Sequence, residues 1–131
     1  IALACASMIT GGVAARHPRL RIAFSHGGGA MAMLLPRLVH AWKMTPKARE
    51  SLSESPAVSA RRFYYNQLVF DPAAVRLLIE RFGASQIMLG SDYPFIMGDP
   101  DPVGSLEGLE LDDDTHFALS AENARRFLAL K

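Results

Sequence analysis

Three short apolar runs set the tightest limit on what this chain can fold into. "LRIAFS" (residues 20–25), "RFYYNQLV" (62–69) and "QIMLGS" (86–91) are strand-length and rich in aliphatic, aromatic or β-branched side chains. The first and third read as strands covered on both faces, which is the mark of a parallel sheet with helices on its two sides. Helical patterns separate them. Asp71 can cap a helix that Pro72 opens; Val75, Leu78, Ile79 and Phe82 recur at helical spacing, and Gly83 stops it. A second helix is expected from about Ala30 to Lys43, carrying Met33, Leu34, Leu38 and Trp42, with Pro36 kinking it or opening a new turn. "IALACASMITGGVAA" reads as a helix apolar nearly all round, ended by Gly11 and Gly12 or by "ARHP" just beyond.

Residues 44–60, with Pro46, Pro56 and four serines, read as a loop. The tail is expected to hold two short helices, one after Leu111 and one from about Ser120 to Leu130 with Ser120 as its cap. Helices alternating with strands make an α/β fold with right-handed parallel crossovers. Three strands rarely suffice alone. The chain is therefore either a small open sheet or the last part of something larger, such as an eight-stranded barrel of about 250 residues. Residues 1–131 read as one partial domain, and a chain that begins at Ile1 and not at Met reads as a fragment or processed product.

Composition removes several functions. Half the residues are apolar and 21% are charged, which is ordinary for a folded domain. Fourteen basic residues against thirteen acidic leave no footprint for nucleic acid, and no basic run reads as a membrane-surface patch. The apolar opening lacks a preceding basic segment and is too short to span a bilayer. A single cysteine, Cys5, cannot make a disulfide framework or a cysteine-based zinc site and fits a reducing compartment, so the cytoplasm is expected.

The chemistry concentrates in "AFSHGGGAMAMLLPR" (23–37). "GGGAMA" satisfies the dinucleotide pattern G-x-G-x-x-A between a strand and a helix, but the acid expected about 20 residues on falls in the loop, where Glu50 is a poor candidate. A lipase-type oxyanion loop would need a G-x-S-x-G elbow downstream, and the chain has none. In the third reading His26 is functional, set just past a strand's C-terminal end, and the glycines make room for it and for a substrate. "GSDYPF" (90–95) repeats the arrangement with Asp92. Asp92 offers a hard oxygen for a divalent metal, and His26 a base near neutral pH or a second ligand. Each has a structural alternative: Asp92 as a turn former or cap before Tyr93-Pro94, His26 as a packing residue beside glycines.

With both motifs in hand, the chain resembles the C-terminal part of an amidohydrolase-2 family member, the metal-dependent enzymes related to aminocarboxymuconate-semialdehyde decarboxylase. The resemblance rests on "HPRLRIAFSHGGG", "RFYYNQLVFDPAAVRLLIERFGASQIMLGSDYPF" and "SAENARRFLAL", in the family's order. It implies an α/β fold, the portion of a distorted (β/α)8 TIM-type barrel that holds about strands six to eight with their helices. It also implies that Asp92 is a ligand to a divalent metal, usually zinc, and that His26 positions or deprotonates the metal-bound water. Arg37 matches an arginine that reaches a neighbouring subunit's site and binds a substrate carboxylate, and Phe95 matches an aromatic wall of the pocket.

The departures are equally specific. The family's His-x-His pair and its further histidine ligand have no counterpart, and His17, His40 and His116 match nothing in the metal site. Asn66 and Phe70 stand where relatives carry an aspartate and a histidine. One carboxylate and one imidazole fall short of the three or four protein ligands of a catalytic zinc. The expectation is a metal-dependent non-oxidative decarboxylase of a small carboxylic acid, homo-oligomeric as a dimer, whose 131 residues alone bind metal weakly and do not turn over. The alternatives are a hydrolase of the same family, a nucleotide-binding module, and a non-catalytic assembly piece.

Overall fold

The computed structural model describes residues 1–130. The chain runs through helices α1 (Ala2–Thr10) and α2 (Val13–Arg16), strand β1 (Ala23–Phe24), helices α3 (Met31–Met44), α4 (Pro46–Ser51) and α5 (Pro56–Ala60), strand β2 (Tyr64–Asn66), helix α6 (Pro72–Phe82) and strand β3 (Ile87–Met88). Helices α7 (Gly104–Glu107), α8 (Asp113–Phe117) and α9 (Asn123–Leu128) follow. The three strands form one parallel sheet in the order β1-β2-β3, with Ala23 opposite Tyr64 and Tyr65 opposite Ile87. This is the α/β arrangement expected from the apolar runs. None of the described helices is long and apolar enough to cross a membrane.

The strands are shorter than those runs, for a physical reason. Beyond Asn66 the ladder passes to a side chain: Gln67 accepts a hydrogen bond from the Gly90 N–H at 2.9 Å and donates to the Gly90 carbonyl at 3.4 Å. The Leu89 N–H bonds the Leu119 carbonyl at 3.0 Å, so β3 leaves the sheet to meet the C-terminal helical segment.

α6 follows its sequence signals. The Asp71 carboxylate accepts the Ala74 N–H at 2.7 Å, Val75, Leu78 and Phe82 are buried, and Gly83 ends the helix at φ 94°. α1 ends as expected, with Gly12 in the left-handed region at φ 64°. α3 continues through Pro36 and buries Met31, Ala32 and Leu35, while Met33 and Leu34, expected on its apolar face, are exposed.

Two expectations fail. Residues 44–60 are not a loop but hold α4 and α5, because Pro46 and Pro56 each occupy the first helical turn, where the missing N–H costs nothing. Ser120 is not a cap. It lies inside a π-turn, Ala118–Glu122, that joins α8 to α9, and its hydroxyl donates to the Phe117 carbonyl at 3.3 Å. The helical start is Asp112, whose carboxylate accepts the Thr115 N–H at 2.9 Å.

The core centres on β2. Tyr65 is fully buried, stacks on Phe82 with ring centroids 3.8 Å apart, and donates its hydroxyl to the Ala60 carbonyl at 2.9 Å. The buried Cys5 thiol sits 4.0 Å from that hydroxyl. Asn123 is fully buried and donates to the Ala84 carbonyl at 2.8 Å and the Ile87 carbonyl at 2.7 Å, clamping α9 to the start of β3.

Two outcomes are expected. Asn123→Ala takes this donor from one buried and one half-buried carbonyl and opens a cavity, so it should cost about 2–4 kcal/mol, read as a lower urea midpoint at unchanged slope. Burial pushes the Cys5 thiol from 9.0 up to about 11 and raises the Tyr65 hydroxyl as well. The folded chain holds both protons more tightly than the unfolded one. The thiol's stabilising contribution is therefore fully present below pH 9 and is lost as pH rises through about 11, and the phenol's begins to fall only above pH 10, so the melting temperature should drop from pH 9 to 11.

Candidate active site

The turn after β1 shows what the glycines are for. His26, Gly27, Gly28 and Gly29 all have positive φ, at 49°, 58°, 73° and 65°, so the chain winds left-handed for four residues before α3 begins. Only glycine does this without strain. Space is equally restrictive. A Cβ on Gly27 would stand 2.7 Å from Leu78, one on Gly28 would stand 2.9 Å from the Tyr65 ring, and one on Gly29 would stand 3.1 Å from Ala2. The Gly28 and Gly29 N–H groups are bonded to the Ser25 and His26 carbonyls at 3.0 and 2.7 Å. A dinucleotide fingerprint needs open backbone and free N–H groups for the pyrophosphate. This turn has its space filled by the chain's own side chains, which removes the nucleotide reading.

His26 therefore leaves the sheet at the C-terminal end of β1, and Asp92 stands past the C-terminal end of β3. Asp92 also has a positive φ, 58°, which aspartate tolerates better than most residues, and its carbonyl accepts the Phe95 N–H at 2.9 Å. It is a turn former as well as a candidate ligand. The structure brings the two side chains together, with His26 Nε2 3.9 Å from Asp92 Oδ2 and both partly exposed. At that separation they do not share a hydrogen bond. They face one another across a gap that one small oxygen-bearing group would bridge.

The other two candidates lie apart. Arg37 is exposed on α3, six residues beyond its first residue and so roughly 9 Å along its axis. It has no hydrogen-bond or ion-pair partner among the described residues. Phe95 is 68% exposed beside Tyr93, Ile96 and Met97, which are exposed too, so in this chain it stands in solvent. His17 precedes β1 and so lies at the other end of that strand from His26, His116 lies in α8, and His40 is exposed on α3. Among the described residues no group of three or more histidine, cysteine, aspartate or glutamate side chains could hold a metal ion.

Gln67 was not expected in the site. Its clasp on Gly90 sets where the chain leaves β3, two residues before Asp92, and a glutamine inside an apolar run was the only sign of it in the sequence. Gly90 fits this close approach, since a Cβ there would stand 2.8 Å from Asn66.

A parallel α/β sheet with an ionisable pair held past its strand ends has the layout in which open-sheet and barrel enzymes place their chemistry. The particular family follows from comparison. The chain belongs to the amidohydrolase family, whose sequence profile matches residues 2–130. It is 34% identical over 130 residues to a 2-amino-3-carboxymuconate-6-semialdehyde decarboxylase from Dictyostelium discoideum, covering 98% of this chain and 36% of that protein. Among solved structures it is similar to 5-carboxyvanillate decarboxylase LigW from Sphingomonas paucimobilis, at 28% identity and a TM-score of 0.81, covering 95% of this chain and 38% of that one. The fold also matches a dihydroxybenzoic acid decarboxylase from Polaromonas with bound manganese, at 21% identity, TM-score 0.82, and coverage of 98% and 39%. The chain thus spans little more than a third of the length of these relatives.

Gly28→Ala tests the turn. Tyr65 cannot retreat, because it is stacked and hydrogen-bonded, so the added methyl brings both a clash and a left-handed alanine. The expected cost is about 2–4 kcal/mol by urea unfolding, with the His26 ring signals displaced in the proton spectrum.

Proposed function

We propose that this chain supplies strands six to eight of a (β/α)8 barrel and two polar groups of a metal-dependent non-oxidative decarboxylase acting on a small carboxylic acid. The observation that carries this reading is the meeting of His26 and Asp92, 3.9 Å apart, from turns that follow different strands. Its support comes from family membership, from the decarboxylases among the relatives, and from an open sheet whose strands β1 and β3 each have a single neighbour among the described residues.

The Asp92 carboxylate suits a hard divalent cation, and manganese in the Polaromonas enzyme makes that cation as good a candidate as the zinc expected from sequence. One carboxylate with one imidazole does not fit a complete centre. The remaining ligands have to come from outside these 131 residues.

In this proposal the work of the chain's own residues is proton transfer and binding. As the bond to the carboxyl carbon breaks, its electron pair stays on the substrate carbon, CO2 leaves, and His26 delivers a proton from Nε2 to that carbon. Asp92 holds its place opposite the imidazole as a metal ligand. Arg37, exposed and unpaired on α3, serves a carboxylate in a neighbouring subunit of a dimer, and Phe95 closes over the substrate once that neighbour or the rest of a barrel covers it.

The test replaces the matching 36% of the Dictyostelium decarboxylase with this chain. His26→Ala in the chimaera should lower kcat by about 10²–10⁴-fold with bound metal unchanged. Asp92→Asn should lose metal as well, measured by elemental analysis. The 131-residue chain alone should hold less than stoichiometric zinc or manganese and show no turnover. A metal-loaded chimaera whose turnover ignores His26→Ala would overturn the proposal.

A further inference from the structure

Each of the three strands is followed by a non-glycine residue with left-handed backbone: His26 after β1, Phe70 after β2 and Asp92 after β3, at φ 49°, 56° and 58°. The first and third are the proposed site. Phe70 is the unexplained member. Phenylalanine is poorly suited to this backbone, and here the strain brings no packing in return, since Phe70 is 65% exposed.

The surroundings of Phe70 show what the ring can do. It lines a cavity of about 350 Å³ with Leu68, Val75 and Leu109, at the end of the central strand and so on the edge of the sheet that also carries His26 and Asp92. Two carboxylates reach the same cavity, and both are engaged. Asp71 caps α6, and Asp99 accepts from the Asp101 N–H at 2.9 Å and the Ser105 hydroxyl at 2.6 Å. Such walls favour a flat, neutral group and repel a carboxylate.

Resting on the decarboxylase reading, we infer that Phe70 is a specificity-determining residue: its ring and this cavity take the neutral, planar part of the substrate, past the same end of the sheet as His26 and Asp92. The ring's fixed strain keeps it presented to the ligand and away from the core.

Resorcinol, a planar neutral ring without a carboxyl, is the probe. Titrated into the 131-residue chain, it should shift the backbone amide signals of Leu68, Phe70 and Leu109. Phe70→Ala should weaken binding by about fivefold or more, and His26→Ala by no more than about twofold. Phe70→Gly relieves the backbone and should raise the melting temperature by about 2–5 °C while binding no better than the alanine variant. Binding unchanged in Phe70→Ala, amide shifts confined to other regions, or a Phe70→Gly variant that melts lower would each overturn the inference. The two readings fail separately. Resorcinol binding through Phe70 beside a chimaera indifferent to His26 sinks the decarboxylase alone, and His26-dependent turnover without Phe70-dependent binding sinks this inference alone.

Discussion

The side chain of Tyr65 is the contact on which the rest of the structure depends. It stands on the central strand, stacks on Phe82 of α6, donates to the Ala60 carbonyl at the end of α5, and lies against the Cys5 thiol of α1. Its ring edge also fills the space that a side chain at position 28 would need. One buried aromatic thus couples three helices, the sheet and the left-handed turn. An unpaired phenol hydroxyl in this core would cost about 1–3 kcal/mol, so the bond to Ala60 fixes the ring's depth as well as its orientation. The direction in which His26 leaves β1 follows from that ring, because the backbone passing over it has room only for glycine.

Asp92 is placed by a separate set of contacts, none of which touches the gap between the two side chains. Gln67 holds Gly90, the Leu119 carbonyl draws Leu89 away from the sheet, and Asn123 pins the start of β3 to α9. The C-terminal helical segment is therefore a support for the site as well as a cover for the core. A polar pair held at a defined separation needs neighbours that are themselves locked, and here they are locked by buried amides and not by ion pairs.

How much of this was legible in the sequence depends on the range of the interaction. α6 was readable because its cap, its proline, its apolar spacing and its terminating glycine all lie within Asp71–Gly83. The parallel order was readable because crossover helices separate the apolar runs. Residues 44–60 were misread because proline and serine mark both loops and helix starts, and only backbone geometry separates the two. The strand lengths were overestimated because their ends are set by Gln67 and Leu119, partners 23 and 30 residues away from the atoms they bond. Of the site, the sequence carried the strand-end positions of His26 and Asp92. It did not carry their facing geometry, which depends on Tyr65 and Asn123, nor the backbone strain at Phe70.

That strain is informative because of where it falls. Left-handed backbone costs a residue with a side chain about 1–2 kcal/mol, and three strand ends at one edge of the sheet carry it in succession. Histidine and aspartate tolerate the region comparatively well, so their conformations alone would be weak signs of function. Phenylalanine does not, and it follows the central strand, between the strands that precede the other two. A core as buried as that around Tyr65 can sustain such a cost at its rim. The same left-handed geometry lets each side chain leave its strand abruptly and stand over the edge without continuing along it. The strain at these three positions thus has one cause, a chain that turns sharply past the ends of parallel strands.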